Sequence, residues 1–205
     1  MLTGKTDQNA APSSFHEIMP SADGKKNVGK VISDNYEVVE GSWPKNKNEV
    51  VLVLDENNSL SLTAVYELGL KSASEYHDMM NQLNSGDDVK TDTKKIDYSD
   101  VIDRTLKLLP ACDQYVKGDN GHWTYVGDDV DQINALIDSD KAIDLKIVGV
   151  VKPVEDADAT PLSSGVGYTR ALTNELIDRA ESSEIVTEQR SDKDHNVLNG
   201  MTFSP

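Results

Sequence analysis

The sequence predicts an α+β fold of split βαβ type, carrying an inserted helix and β-meander lobe. Three observations point there. Val50 to Leu54 and Leu145 to Val151 are runs apolar at nearly every position, which suits strands covered on both faces. Each run leads on to a segment with one apolar stripe at helical spacing. Between the two lie a Met-containing helical pattern and a hairpin signature.

Residues 1 to 34 are rich in Ser, Asn, Gly and Lys and read as a flexible N-terminal arm, with "FHEIM" (Phe15 to Met19) offering one apolar helical turn. Residues 35 to 205 read as one domain, with residues about 72 to 126 as its inserted second lobe. "YEVVEGSW" (Tyr36 to Trp43) predicts a strand ending in a turn, and Pro44 stops ladder pairing. After the Val50 to Leu54 run, Ser61 caps a helix with Leu62, Val65, Tyr66, Leu68 and Leu70, and Gly69 supplies its stop. Ser72 and Glu75 have capping-box spacing ahead of Tyr76, Met79, Met80 and Leu83, and Gly86 ends that helix. A Met pair on such a face reads as core or lobe contact rather than a cofactor site.

"DDVKTDTKK" (Asp87 to Lys95) is a polar linker, and Ser99 is placed to cap one turn through Val101 and Ile102. "TLKLLP" and "DQYVKGDNGHWTYV" alternate as strands do, with Asp119-Asn120-Gly121 as the hairpin turn. Asp128 is expected to cap a helix with Val130, Ile133, Leu136 and Ile137. "AIDLKIVGVVKP" (Ala142 to Pro153) is the second buried strand. "GYTRALTNELIDRA" follows as a long helix from near Tyr168, with Leu172, Leu176, Ile177 and Ala180 inward. The tail predicts a short helix and a return strand.

Composition narrows the function. Lys and Arg number 20 against 36 Asp and Glu, a formal net charge of −16. Such a chain repels phosphate backbones, and no basic stripe offsets this, so no nucleic-acid partner is expected. The charge suits a solvated surface, or one attracting cationic peptides or divalent ions. Mean hydropathy is −0.50, yet the apolar clusters argue for a folded chain. Cys112, the single cysteine, allows no internal disulfide and reads as an inert thiol beside Leu108, Leu109 and Pro110. No apolar run approaches the ~20 residues of a membrane span, and no signal-peptide core follows Met1, so the chain by itself is expected to be soluble, whole or as a piece of a longer protein.

Motif imitations fail on context. Gly4-Lys5-Thr6 resembles the end of a phosphate-binding loop without its first glycine or its leading strand. Asp55, Asn57 and Ser59 imitate a calcium loop, but Leu60 stands where glycine is required and Tyr66 where a glutamate is. His16, His77, His122 and His195 have no partner at metal-ligand spacing, so no metal site is expected. Ser163-Ser164-Gly165 lacks the nucleophile elbow. "SSGVGYTR" could cradle an anion at a helix start. Gly165, Gly167 and Arg170 miss the third glycine of the dinucleotide fingerprint, which favours a structural turn there. Trp43 and Trp123 read as core anchors. Carboxylate pairs occur at the frequency that an acidic composition produces. The residues therefore nominate no catalytic group and no cofactor, and they leave any substrate-binding residues unknown.

The block "YEVVEGSWPKNKNEVVLVLDENNSLSLTAVYELGL" resembles the extracytoplasmic domain of MacB/FtsX-like ABC transporter permeases, above all the long Gram-positive forms. There a G-x-W-P turn leads into "EVVLV" and a helix ending in "LGL". "KLLPACDQYV", "LKIVGVVKPVEDADATPLSSGVGYTRALTNELI", and "EIVTEQ" leading to "NVLNGMTF" are similar in the same order, so the resemblance spans residues 36 to 203. It implies a non-catalytic domain on the extracellular face of a bacterial cytoplasmic membrane, between two membrane helices that residues 1 to 205 do not contain. Its implied partners are a second copy of the permease, a cytoplasmic ATPase subunit acting through those helices, and an export substrate or adaptor protein. A free-standing cell-surface peptide- or lipid-binding protein is the alternative reading, favoured if the gene encodes no membrane helix. A secreted hydrolase is a third, favoured by a deep cleft with two facing carboxylates.

Overall fold

A computed structural model describes residues 15–60, 65 and 97–203. Its strands are β1 (Phe15–Glu17), β2 (Tyr36–Gly41), β3 (Glu49–Val53), β4 (Thr105–Leu108), β5 (Tyr115–Lys117), β6 (Trp123–Tyr125), β7 (Ile143–Pro153) and β8 (Gly165–Tyr168). The helices are α1 (Lys30–Asn35), α2 (Val130–Ile137), α3 (Arg170–Ser182) and α4 (Glu184–Ser191). The fold is α+β with a mixed sheet in the order β1-β8-β3-β7-β2, to which β4 adds by pairing with β7.

The two apolar runs are the middle of this sheet. β3 pairs with β7 in parallel, Val50 opposite Ile147 and Val53 opposite Val151, as their two-sided apolar character requires. Alternation along β3 sends Val50, Leu52 and Leu54 to one face and Val51 and Val53 to the other. On the first face they meet Leu145, Ile147, Val150, Val166 and Leu172. On the second they meet Ile18, Ile32, Tyr36, Val151 and Leu162. Thus α3 covers one face through Leu172, and α1 covers the other through Ile32. Each such buried aliphatic side chain contributes about 1.5–3 kcal/mol.

β7 is long enough to hold two strands end to end on one edge. Ile143 to Lys146 pair with β4, and Gly149 to Pro153 pair with β2. At the junction, Ser42 N–H donates to Val148 O at 2.9 Å, and Asp103 N–H to Ile147 O at 2.9 Å. Two glycines allow this crowding. A Cβ on Gly149 would stand 2.2 Å from Ser42 O. One on Gly41, whose φ is +71°, would stand 2.1 Å from Val148 O.

Several expectations are corrected. From Phe15 on, the expected arm belongs to the fold. "FHEIM" begins as a strand, because β1 pairs in parallel with β8 and Ile18 is wholly buried. Gly165 to Tyr168 form a strand antiparallel to β3 rather than a turn, so the long helix starts at Arg170 behind the Thr169 N-cap. Ile177 is 51% exposed, because α3 presses only Leu172 and Leu176 onto the core. Asp97, not Ser99, caps the short 3-10 turn Tyr98–Asp100, accepting from Ser99 N. Asp129, not Asp128, caps α2 through Gln132 N–H at 3.0 Å. These bonds hold both carboxyls below their usual value, the Ser99 and Gln132 side chains contributing most.

β4 leaves the expected meander and joins the main sheet, so only β5 and β6 remain as a separate hairpin. The tail makes a single bridge, His195 to Thr202, in place of a return strand. Val65 is helical, within the helix expected from Ser61. The Ser72 to Gly86 helix, its Met pair and the Asp87 to Lys95 linker lie outside the described residues.

Candidate functional site

Among the described residues, polar side chains converge where the β5–β6 hairpin meets α3 and α4. The hairpin closes at Asp119-Asn120-Gly121 as expected, Gly121 taking φ +80° and Asn120 Oδ1 accepting from His122 N–H at 3.0 Å. That register sets Lys117 opposite Trp123. The Lys117 ammonium lies 6.0 Å from the Trp123 ring centre, at the outer reach of a cation–π contact. Glu188, on α4, accepts from Trp123 Nε1 at 2.9 Å and from Lys117 Nζ at 2.8 Å. The Lys117 bond, then the Trp123 bond, lower the Glu188 pKa from the usual glutamate value.

α4 reaches this position because α3 ends one residue earlier. Ser183 terminates α3 and caps α4, its hydroxyl donating to Ala180 O at 2.7 Å and accepting from Val186 N–H at 3.4 Å. Extended backbone there (φ −65°, ψ 150°) makes the elbow. Gln189 fastens the following loop, donating to Asp192 O and His195 O, each at 2.8 Å, and accepting from Val197 N–H at 3.1 Å.

A second cluster lies on the α3 side. Arg179 donates through Nε to Asp113 Oδ2 at 2.8 Å and through Nη2 to Lys141 O at 2.6 Å. Cys112 Sγ is 3.8 Å from the same Asp113 oxygen. Burial first, then the Asp113 charge, push the thiol pKa up, so Cys112 stays protonated at neutral pH. As read from its apolar surroundings, the thiol is not primed for attack.

The other residues singled out in the sequence are dispersed. His16 lies in β1 opposite Gly167, its Nε2 buried without a hydrogen-bond partner among the described residues. The His122 ring rests on Gly200, with Cε1 2.7 Å from where a Cβ would be. His195 Nδ1 lies 3.1 Å from Asp192 Oδ1, which also accepts the His195 backbone N–H, so this pair closes an exposed turn. Asp55 Oδ1 accepts from Asn57 N–H at 2.9 Å and Ser59 N–H at 2.8 Å, so backbone takes the oxygen the calcium imitation would need. Gly167 packs against Val51 and Ile18, and Arg170 pairs with Glu17 at 2.7 Å. Trp43 leans on the second core cluster. Trp123 is 7% exposed, an anchor as expected, but it belongs to neither core cluster. His77, Tyr66 and Gly4-Lys5-Thr6 lie outside the described residues.

Among the described residues, no group of three or more His, Cys, Asp and Glu could hold a metal ion, and no helix is long and apolar enough to cross a membrane. An open depression between β6 and α2, lined by Tyr125, Val126, Asp129 and Val130, adjoins the junction. The junction residues themselves, Lys117, Asp113, Arg179 and Glu188, are engaged with one another, an arrangement suited to holding elements in place. Sequence reading missed Arg179 and Glu188, since single charges on exposed helix faces carry no spacing signal. No family model, curated protein or solved structure matches this chain.

Proposed function

We propose that this chain is a non-catalytic extracytoplasmic domain of a MacB/FtsX-like exporter permease, coupling ATP-driven motion in the membrane to an export substrate or adaptor protein. Four sequence blocks in matching order suggest it. The observation that carries it is the parallel pairing of β3 with β7, because the two apolar runs of those blocks must be neighbours if they are halves of one split unit. The interposed strand β8 is a departure from the simplest split βαβ connection, since it separates β7 from α3. On this reading the domain works on the outer face of the cytoplasmic membrane, beside a second copy, with a cytoplasmic ATPase acting through membrane helices of a longer protein.

The test is to link two copies in the full-length protein through cysteines engineered on facing surfaces. Coupling requires transport to fall as cross-linking goes to completion. Unchanged transport at full cross-linking rejects the coupling role, and enzymatic hydrolysis of a peptide, glycan or ester by the purified 205-residue chain rejects the non-catalytic class.

A further inference from the structure

We propose that residues 111–137 and 184–203, far apart in sequence, form one unit that opens from the sheet domain as a body and is latched by Arg179. The argument begins with what the two cores leave out. Neither core cluster contains a residue from either span. The spans have their own small seat instead, in Trp123 and Val126, which are 7% and 5% exposed. No residue of α2 or α4 is fully buried.

Inside the unit, connections are dense. Trp123 holds α4 through Nε1 and the following loop through its backbone N–H, which donates to Val197 O at 3.0 Å. Lys117 binds Glu188, Gln189 gathers the loop from Asp192 to Val197, and His122 sits on Gly200. Val126 N–H donates to Gln114 O at 2.9 Å, tying the end of β6 back to the turn before β5.

Toward the sheet domain the connections among the described residues are few, Gln114 Nε2 donating to Leu109 O at 3.1 Å beside the joint. Among the described residues, the ion pairs that span the division are Arg179–Asp113 and Arg190–Glu181. The second is over 60% exposed on both sides and stretched to 3.6 Å, so it contributes little. The first is largely screened from water, and the same guanidinium grips Lys141 O, in the connection from α2 to β7. Chain crossings fall at Pro110, at Asp138 to Ala142 and at Ser183, short non-helical stretches of the kind that absorb hinge rotation. A body with a small apolar seat, few outward contacts and short joints opens at lower free energy than the core it rests on. This holds whether or not the chain serves an exporter.

Cys112, the chain's one thiol, reports the motion, because opening withdraws Asp113 and Cys112 from Arg179. The experiment alkylates Cys112 under native conditions alongside amide hydrogen exchange, for the wild type and Arg179→Met. Loss of the latch should speed alkylation about tenfold and raise exchange in β6 and α4 together, with β3 and β7 unchanged. Removing a nearby cation on its own slows alkylation by disfavouring the thiolate, so acceleration identifies opening. If the variant does not fold, wild-type exchange in low urea decides. β6 and α4 should then share one opening isotherm with a smaller denaturant slope than global unfolding. Separate isotherms for the two, or exchange and alkylation only through global unfolding, overturn the proposal.

Discussion

Tyr36 and Leu162 exchange two hydrogen bonds: the phenol donates to Leu162 O at 2.8 Å and accepts from Leu162 N–H at 2.9 Å. One side chain thereby satisfies both backbone groups of a buried loop residue. Tyr36→Phe strands that pair, a loss of about 1–3 kcal/mol by the cost of unmade buried bonds. Urea titration of both proteins measures it. A midpoint unchanged in the variant would show that the loop finds other partners.

Burial pushes the Tyr36 phenol above its ordinary value, against the opposing effect of the Leu162 bond. The neutral form is therefore favoured by folding. Its stabilising contribution is fully present below the unfolded tyrosine value near 10 and falls as pH rises beyond it. Wild type should lose stability more steeply than Tyr36→Phe as pH rises above about 10. Parallel curves would contradict this.

Gly149→Ala places a methyl carbon against Ser42 O, on a residue whose own N–H is bonded to Val148 O of β7. The strands must part where β2 and β4 meet, at a cost of about 2–4 kcal/mol, within the range for strained core positions. Calorimetry should show the lowered transition. Gly24→Ala, at an open turn with φ +68° and nothing near the added carbon, should lose less.

Cys112→Ser should leave the fold intact at a cost of about 1 kcal/mol, typical of a small change at a half-buried site. Any partner binding of the wild type should persist. Loss of binding with unchanged circular dichroism would assign the thiol a role.

Glu188 titrates below its ordinary value, so its contribution is present above the unfolded glutamate value of 4.5 and lost as pH falls through the lower folded one. Acidification below about pH 4.5 should therefore change the fluorescence of Trp123 before the main unfolding transition. Trp43→Phe assigns the signal to Trp123, and Glu188→Gln, which has no carboxyl to titrate, should abolish the change.

The centre of the fold was legible because β3 and β7 are apolar on both faces, a pattern few other structures accept. The hairpin was legible from Asp119-Asn120-Gly121, whose turn chemistry is local. Strands β1 and β8 were not. Phe15 to Glu17 are too few to show a period, and the glycines of β8 suggest a turn, until Val51 and Ile18 require the space at Gly167. The junction was illegible for a different reason. Arg179 and Glu188 acquire meaning only from Asp113, Lys117 and Trp123, 65 to 71 positions away.

The pairing of Phe15 with Val166 has a consequence for synthesis of the chain. The partner of β1 is made about 150 residues later, roughly 8–30 s at ordinary elongation rates. Until then Ile18, wholly buried in the finished fold, has no sheet to enter. The ribosome therefore releases nearly the whole domain before its first strand can dock, and the apolar run of β3 waits with it. Those segments keep their apolar side chains exposed meanwhile, and slowing translation lengthens the exposure.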